Sequence, residues 1–215
     1  MSAEAALRAD IVRVAQAMDR AGFAPSKSGN VSARHGEGLI ITPSGLPYAA
    51  TAPDDLVALD LEGRVGSGER NPSSEWPFHT AIYRARPDAR AIVHTHSPRA
   101  TALACARRGI PAFHYMIALC GGPDVRCADY ATFGTPELAE SAVRGLEGRK
   151  AVLLANHGVI ALGASLDGAY AVAAEVENLA GQYLDLLAAG LTPVILDEAE
   201  MTRVAERFAG YGKVA

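Results

Sequence analysis

Cysteine and lysine are both scarce in this sequence, and neither is arranged as a recognisable site. The three cysteines, Cys105, Cys120 and Cys127, are an odd number without a Cys-x-x-Cys spacing. That pattern predicts neither a disulfide framework nor a cysteine metal site. We therefore expect a reducing, cytoplasmic environment and interpret the cysteines as small core residues.

Long hydrophobic runs and basic runs are also absent. No segment approaches the ~20 apolar residues that a membrane span requires, and the N-terminal MSAEAALRADIV lacks the apolar stretch of a signal peptide. The net charge of −4 and the pI of about 5.9 argue against nucleic acid as a partner. Because neither a P-loop pattern nor a strand-associated Gly-x-Gly-x-x-Gly occurs, nucleotide binding by those routes is not indicated.

The 215 residues are 49% hydrophobic, which is enough to bury the core of one domain spanning 1–215. Hydrophobic periodicity predicts helices and strands that alternate along the chain. The predicted helices cover 4–21, 73–85 (with Ser73 or Ser74 as N-cap), 97–108, 135–147, 166–189 and 197–209. The predicted strands include 38–41, 91–96, 151–158 and 159–163, with a hairpin over 56–65. This order predicts an α/β/α sandwich with a central, largely antiparallel sheet.

The strongest functional signal is a set of three histidines and one carboxylate. His94 and His96 are two residues apart on a predicted strand, so their side chains project from the same face. His157 follows a second predicted strand, and Glu75 lies near the start of a predicted helix. Three imidazoles with one exchangeable position suit a Zn²⁺ ion. A bare His-x-His pair also fits two hydrogen-bonded structural histidines, so the interpretation depends on the whole set.

Three separated segments join a small residue to a hydroxyl or amide donor. Backbone N–H groups in such loops, together with a helix N-terminus, can bind a phosphate without a lysine. Each segment alone is a common turn, but the three together indicate an anion site. The segments are Ser28-Gly29-Asn30, Thr42-Pro43-Ser44-Gly45 and Ser73-Ser74. Lys27, beside the first loop, could steer a phosphate or could be an ordinary solvated lysine.

Eight motifs, in order and at characteristic spacing, make this chain resemble the class II aldolase/adducin family. They are SGNVSAR, LIITPSGLPY, SSEWPFH, AIVHTHS, IPAFHYMIA, CADYATFGT, LLANHGVIA and GYGK, and they span roughly residues 25–215. The resemblance implies a zinc-dependent aldolase that assembles as a four-fold symmetric homotetramer with its sites at subunit interfaces. Zn²⁺ is the implied cofactor, with Mn²⁺ or Co²⁺ as alternatives because similar histidine sites accept them.

The resemblance also implies a role for each matching residue. The metal ligands would be Glu75, His94, His96 and His157. Glu75 would leave the metal when substrate arrives and then act as acid and base. The substrate phosphate would be bound by Gly29, Asn30, Ser44, Gly45, Ser73 and Ser74. Tyr115 would reach a neighbouring subunit's site as a proton donor, and Tyr211 would close over it. His79 could hydrogen-bond Glu75 one helical turn away or could be a packing residue.

The implied reaction is the reversible cleavage of a ketose 1-phosphate, of the L-fuculose 1-phosphate type, into dihydroxyacetone phosphate and a short aldehyde such as L-lactaldehyde. Retro-aldol cleavage builds negative charge on the carbonyl oxygen, and zinc held by three neutral imidazoles keeps its full charge for that enediolate. Alternatives within the family are an L-ribulose-5-phosphate 4-epimerase, a 5-deoxypentulose or methylthioribulose phosphate aldolase and a sugar-acid phosphate decarboxylase. A non-catalytic adducin-like module is the alternative of another class, and it predicts loss of ligands that are present here.

Overall fold

The computed structural model describes residues 2–66 and 70–210. Its strands are β1 (Asn30–His35), β2 (Gly38–Ile41), β3 (Val57–Leu59), β4 (Ala91–Thr95), β5 (Arg126–Ala128), β6 (Ala151–Leu154) and β7 (Gly158–Gly163). Its α-helices are α1 (Ala3–Arg20), α2 (Trp76–Ala85), α3 (Pro98–Cys105), α4 (Pro136–Gly145), α5 (Leu166–Ala188) and α6 (Glu198–Gly210). Short 3₁₀ helices cover Pro25–Lys27, Tyr48–Ala50, Pro53–Asp55 and Tyr115–Cys120.

The seven strands form one sheet in the order β3-β2-β1-β4-β7-β6-β5. Neighbouring strands are antiparallel, except for the parallel pair of β5 and β6. In the β1–β4 pair Asn30 lies opposite His94, and in the β4–β7 pair His94 lies opposite Ile160. The central strand β4 therefore places His94 in the middle of the sheet, and β1 places Asn30 beside it.

Side chains that alternate along the strands fill two separate cores. Val31, Val93 and Val159 face the layer that contains α1, α3, α5 and α6. Ile92 and Ile160 face the opposite layer, which contains α2 and α4. Because successive strand residues point to opposite faces, apolar residues at both parities require helices on both sides of the sheet. The predicted α/β/α sandwich is confirmed.

The start of α2 lies later than predicted. The helix begins at Trp76, and its N-cap position is held by Glu75, whose side chain makes no cap hydrogen bond. Ser73 and Ser74 are therefore not N-caps, and the prediction of a helix from 73 onward was wrong. The reason is a long-range backbone contact, because the Ser73 N–H donates to the Thr42 carbonyl at 3.0 Å and keeps this segment extended.

Two other boundaries also differ from the sequence expectation. The predicted hairpin over 56–65 is reduced to strand β3 and a single bridge between Leu59 and Val65 across a turn. The strand predicted over 151–158 ends at Leu154, and a turn over 155–157 leads into β7. His157 is thereby placed in a tight turn instead of on a strand. Across the described ranges, none of the helices has both the length and the apolarity to cross a membrane.

Candidate active site

The structure brings Glu75, His94, His96 and His157 together at one end of β4. One donor atom from each residue lies within 4.8 Å of the others. Nε2 of His94 is 3.0 Å from Nε2 of His96 and 3.1 Å from Oε2 of Glu75. Nε2 of His157 is 3.0 Å from Oε1 of Glu75. The three imidazole rings are nearly perpendicular to one another, with centroids 4.8–4.9 Å apart.

Three different elements deliver these side chains. His94 is on β4 and faces the α2 layer, where Glu75 stands immediately before the helix. His96 follows the end of β4, and His157 is in the β6–β7 turn. Gly158 allows this convergence, because a Cβ at that position would lie 2.3 Å from the Thr95 carbonyl oxygen.

Hydrogen bonding fixes which imidazole nitrogen of His94 faces the centre. Its Nδ1 lies 2.8 Å from the carbonyl oxygen of Val159 and donates to it, because a carbonyl can only accept. In the neutral ring the lone pair is then on Nε2, which points at the other donors. For His96, burial and the neighbouring rings of His94 and His157 lower the pKa to about 3, so that this ring is neutral near pH 7.

Glu75 is a buried carboxylate, only 6% exposed. Burial alone would raise its pKa, but the contacts of the carboxylate with the His94 and His157 imidazoles outweigh burial and hold the pKa below its usual range. When the Nε2 of His157 carries no proton, Oε1 of Glu75 has no hydrogen-bond partner among the described residues. Ionised, this carboxylate needs positive charge in its immediate surroundings.

These donors fit a divalent cation. Two ligand atoms on a tetrahedral zinc ion, each 2.0–2.1 Å from it, are ~3.3 Å apart. Three of the six donor separations, at 3.0–3.1 Å, are close to that value, and all six are within 4.8 Å. Unprotonated imidazole nitrogens at such distances would repel one another without a shared positive charge. The chemistry of the donor set therefore matches a metal centre.

A cavity of about 310 Å³ opens beside this centre. The residues predicted for phosphate binding all line it, namely Gly29, Asn30, Ser44, Gly45, Ser73 and Ser74. The second and third loops lie side by side, because the Ser44 N–H donates to the Asn71 carbonyl and the Ser73 N–H to the Thr42 carbonyl, each at 3.0 Å. In the first loop, Gly29 has φ +93° and packs closely against β4, because a Cβ there would lie 2.6 Å from the His94 carbonyl oxygen.

The side chain of Asn30 is engaged away from the phosphate loops. Its Nδ2 donates to Oε2 of Glu75 at 2.9 Å, and its Oδ1 faces Nε2 of His79. The sequence allowed either a direct hydrogen bond from His79 to Glu75 or a packing role. The direct hydrogen bond is not formed. His79 contacts Glu75 only through Asn30.

Several lining residues lie outside the predicted metal and phosphate sets. Lys27 lines the cavity and is the sole lysine or arginine to do so in the described part of the chain. It follows Ser26, and both residues have left-handed backbones with φ of 65° and 58°, a conformation that costs energy without glycine. Tyr130 and Phe133, which are 54% and 63% exposed, form an apolar rim on the loop between β5 and α4.

Of the two tyrosines expected near the site, Tyr115 is the one that the described residues include, and it stands apart from the cavity. Tyr115, at the start of a 3₁₀ helix, is half exposed and does not line this cavity. Its ring stacks on Phe208 of α6, with centroids 6.1 Å apart. Tyr211 lies outside the described residues.

Comparisons with known proteins define the class. The family profile of the class II aldolase and adducin N-terminal domain matches residues 9–184. The chain belongs to this family. Its relatives are aldolases, and the enzyme is an aldehyde-lyase.

Individual relatives cover nearly the whole chain. It is 51% identical over 207 residues (96% of this chain, 93% of the relative) to a 5-methylthioribulose-1-phosphate/5-deoxyribulose-1-phosphate aldolase of Rhodospirillum rubrum. It is 45% identical over 206 residues (96% and 95%) to an L-fuculose phosphate aldolase of Escherichia coli. A solved L-fuculose 1-phosphate aldolase superposes with a TM-score of 0.92 at 40% identity, covering 97% of this chain and 98% of that one. The expected kinship with L-fuculose phosphate aldolases is confirmed.

Proposed function

We propose that this aldolase cleaves a ketose 1-phosphate into dihydroxyacetone phosphate and a short aldehyde with an apolar tail. One observation carries the proposal: a single cavity joins three loops of hydroxyl and amide donors to the Glu75 centre. A ketose 1-phosphate places its phosphate and its ketone on adjacent carbons and so needs both features together. The apolar rim of Tyr130 and Phe133 lies on the same cavity, where a methyl or methylthio end can contact it.

His94, His96 and His157, with Glu75, would hold a Zn²⁺ ion, and Mn²⁺ or Co²⁺ could replace it. When bound, the ion would polarise the substrate ketone and stabilise the charge that develops on its oxygen. The position of the Glu75 carboxylate supports a role in which it leaves the metal when substrate binds. Because the Glu75 side chain does not cap α2, it can rotate away from the histidines without unwinding the helix.

The chain's own residues would bind and orient the substrate. Ser44, Ser73 and Ser74, with the Gly29 and Gly45 backbone, would hold the phosphate, and Lys27 would add positive charge at the same end. That contact fixes the position of the carbon–carbon bond relative to Glu75. Glu75 would accept the proton of the hydroxyl on the aldehyde side as the bond breaks, and would then deliver it to the ketone-side carbon that keeps the electron pair.

A substrate panel tests this function. We expect dihydroxyacetone phosphate release from 5-deoxyribulose 1-phosphate and 5-methylthioribulose 1-phosphate, because the relative at 51% identity carries those names. L-fuculose 1-phosphate is the second candidate, favoured by the solved structure with a TM-score of 0.92. Coupled assays for dihydroxyacetone phosphate measure kcat/KM for each. Conversion of L-ribulose 5-phosphate to a xylulose phosphate, without cleavage of any 1-phosphate, would instead identify an epimerase.

We further propose a homotetramer in which Tyr115 and Tyr211 of one subunit complete the site of the next. The half exposure of Tyr115 and its absence from its own cavity support this arrangement. Tyr115→Phe and Glu75→Gln subunits, each inactive alone, should regain activity when co-assembled. With random mixing, about one quarter of the sites would then hold both native residues. Mixed oligomers that stay inactive, or a monomeric enzyme with full activity, would refute the shared site.

A further inference from the structure

A chain of four buried side chains extends from Glu75 into the protein interior. Nδ2 of Asn30 lies 2.9 Å from Oε2 of Glu75, and Oδ1 of Asn30 contacts Nε2 of His79. On the far side of the ring, Nδ1 of His79 is 2.7 Å from Oγ of Ser32. The Ser32 hydroxyl is in turn 2.9 Å from the hydroxyl of Tyr83. All four residues are at most 2% exposed.

The direction of every hydrogen bond in this chain follows from elementary chemistry. A carboxylate only accepts, so Asn30 presents its NH₂ to Glu75 and its carbonyl oxygen to His79. His79 must then carry its proton on Nε2, and its bare Nδ1 accepts from Ser32. Since the Ser32 proton is used there, Tyr83 donates to Ser32. Each donor points toward Glu75.

The ionisation states agree with this assignment. Burial lowers the pKa of His79 to about 3, so the ring stays neutral with a single proton to place. Burial also raises the pKa of the Tyr83 hydroxyl, which therefore keeps the proton that it donates. The hydrogen-bond geometry allows only the tautomer of His79 that carries its proton on Nε2. Because the neutral ring has a single proton, this tautomer accounts for both hydrogen bonds of the ring.

The four hydrogen-bonded side chains come from two elements, β1 and α2, and each element supplies two residues that share one of its faces. Asn30 and Ser32 are two apart on β1, so they share one face of the strand. His79 and Tyr83 are four apart on α2, so they share one face of the helix. These side chains therefore join α2, which follows Glu75, to β1, which pairs with the strand that carries His94.

We propose that His79, Ser32 and Tyr83 are positioning residues that hold the Asn30 amide in the orientation that donates to Glu75. The inference rests on the proposed role of Glu75 as acid and base. A flipped amide would place Oδ1 against the carboxylate and NH₂ against the Nε2–H of His79, which are two repulsive contacts. By preventing that flip, these side chains keep the Nδ2 donor of Asn30 available to the Glu75 carboxylate.

The same chain does not conduct protons. A proton accepted from Glu75 would have to pass from Nδ2 to Oδ1 of Asn30, which would convert the amide into an imidic acid. The amide therefore interrupts any relay toward His79. Protons would then reach Glu75 from the cavity, which this residue also lines.

Kinetics of the metal-loaded enzyme test the positioning role. His79→Leu removes the donor to Asn30 and should lower kcat roughly 10- to 100-fold with little change in KM, because a buried hydrogen bond to the amide is lost while the phosphate loops are untouched. His79→Gln should recover part of that loss, since its amide can still donate to Oδ1. Ser32→Ala, which frees the His79 tautomer, should also lower kcat.

Thr80→Ala is the matched control, because Thr80 is equally buried on α2 but its hydroxyl donates to the Pro77 carbonyl and not to the chain. It should keep the wild-type kcat. A folded His79→Leu enzyme with wild-type kcat, or a loss confined to KM, would overturn the proposal. Thermal unfolding of each variant separates a folding defect from a kinetic one.

NMR of enzyme labelled with ¹⁵N in the imidazole rings tests the tautomer without any substrate. His79, assigned by its disappearance in His79→Gln, should show a protonated Nε2 and a bare Nδ1. An Nδ1–H tautomer or an imidazolium would overturn the proposal. This readout stands even if no ketose 1-phosphate is cleaved, so failure of the proposed function and failure of the positioning chain are distinguishable.

Discussion

Glu75→Gln should lower kcat by roughly 10²–10⁴-fold, the range expected when a general acid–base group is removed. Glutamine keeps the size of the side chain and an oxygen that can accept from Asn30, but it cannot move a proton. The fold should survive, because the Glu75 side chain makes no cap hydrogen bond to α2. Steady-state release of dihydroxyacetone phosphate measures kcat, and circular dichroism checks the fold.

Glu62→Gln provides the control, since Glu62 lies before α2 on the protein surface with 57% of its side chain exposed. It removes the same charge from the same region and should leave kcat unchanged. If Glu75→Gln turned over substrate at nearly the wild-type rate, Glu75 would have no role in proton transfer. The catalytic assignment would then move to another group that lines the cavity.

Removal of metal should have the second large effect. Dialysis against a chelator should reduce turnover by ~10³-fold or more, because stabilisation of the developing negative charge by several kcal/mol would be lost. The apparent stability should fall as well, by ~2.7 kcal/mol for metal present at 100 times its dissociation constant. Elemental analysis, activity and thermal unfolding before and after adding back Zn²⁺, Mn²⁺ or Co²⁺ measure these effects.

His96→Ala should reproduce the chelated state with metal still in the buffer, because His96 contributes one of the converging nitrogens. His35→Ala is its control, since His35 lies at the end of β1 near Glu4 and outside the cluster. Full turnover by protein that elemental analysis shows to be free of metal would contradict a metal-dependent reaction. Equal loss of activity in both histidine variants would point to a general effect of the substitution.

The sequence predicted most of what local patterns determine. The two-residue period of a strand placed His94 and His96 on one side, and the alternation of helices and strands along the chain predicted a sheet with helices on its faces. Glycines beside hydroxyl residues identified the loops of the cavity. These features depend on residues that are close together in the sequence, so the sequence alone was sufficient to predict them.

Contacts between distant segments could not be predicted. The late start of α2 depends on the hydrogen bond from Ser73 to Thr42, which only the folded chain brings together. His79 could reach Glu75 by helical spacing, yet it contacts Asn30, because β1 inserts that amide between the two. Lys27 lines the cavity from a segment in which two successive residues adopt left-handed backbones that residue type does not favour.

The rim of Tyr130 and Phe133 has a consequence for how this enzyme could be changed. The groups proposed for chemistry are anchored in the sheet and α2, whereas these two aromatic residues are exposed on a loop. The proposed function thus assigns aldehyde preference to loop residues that are distinct from the buried groups proposed for chemistry. A mutant library restricted to these two codons would sample new aldehyde partners for carbon–carbon bond synthesis while leaving the buried machinery intact.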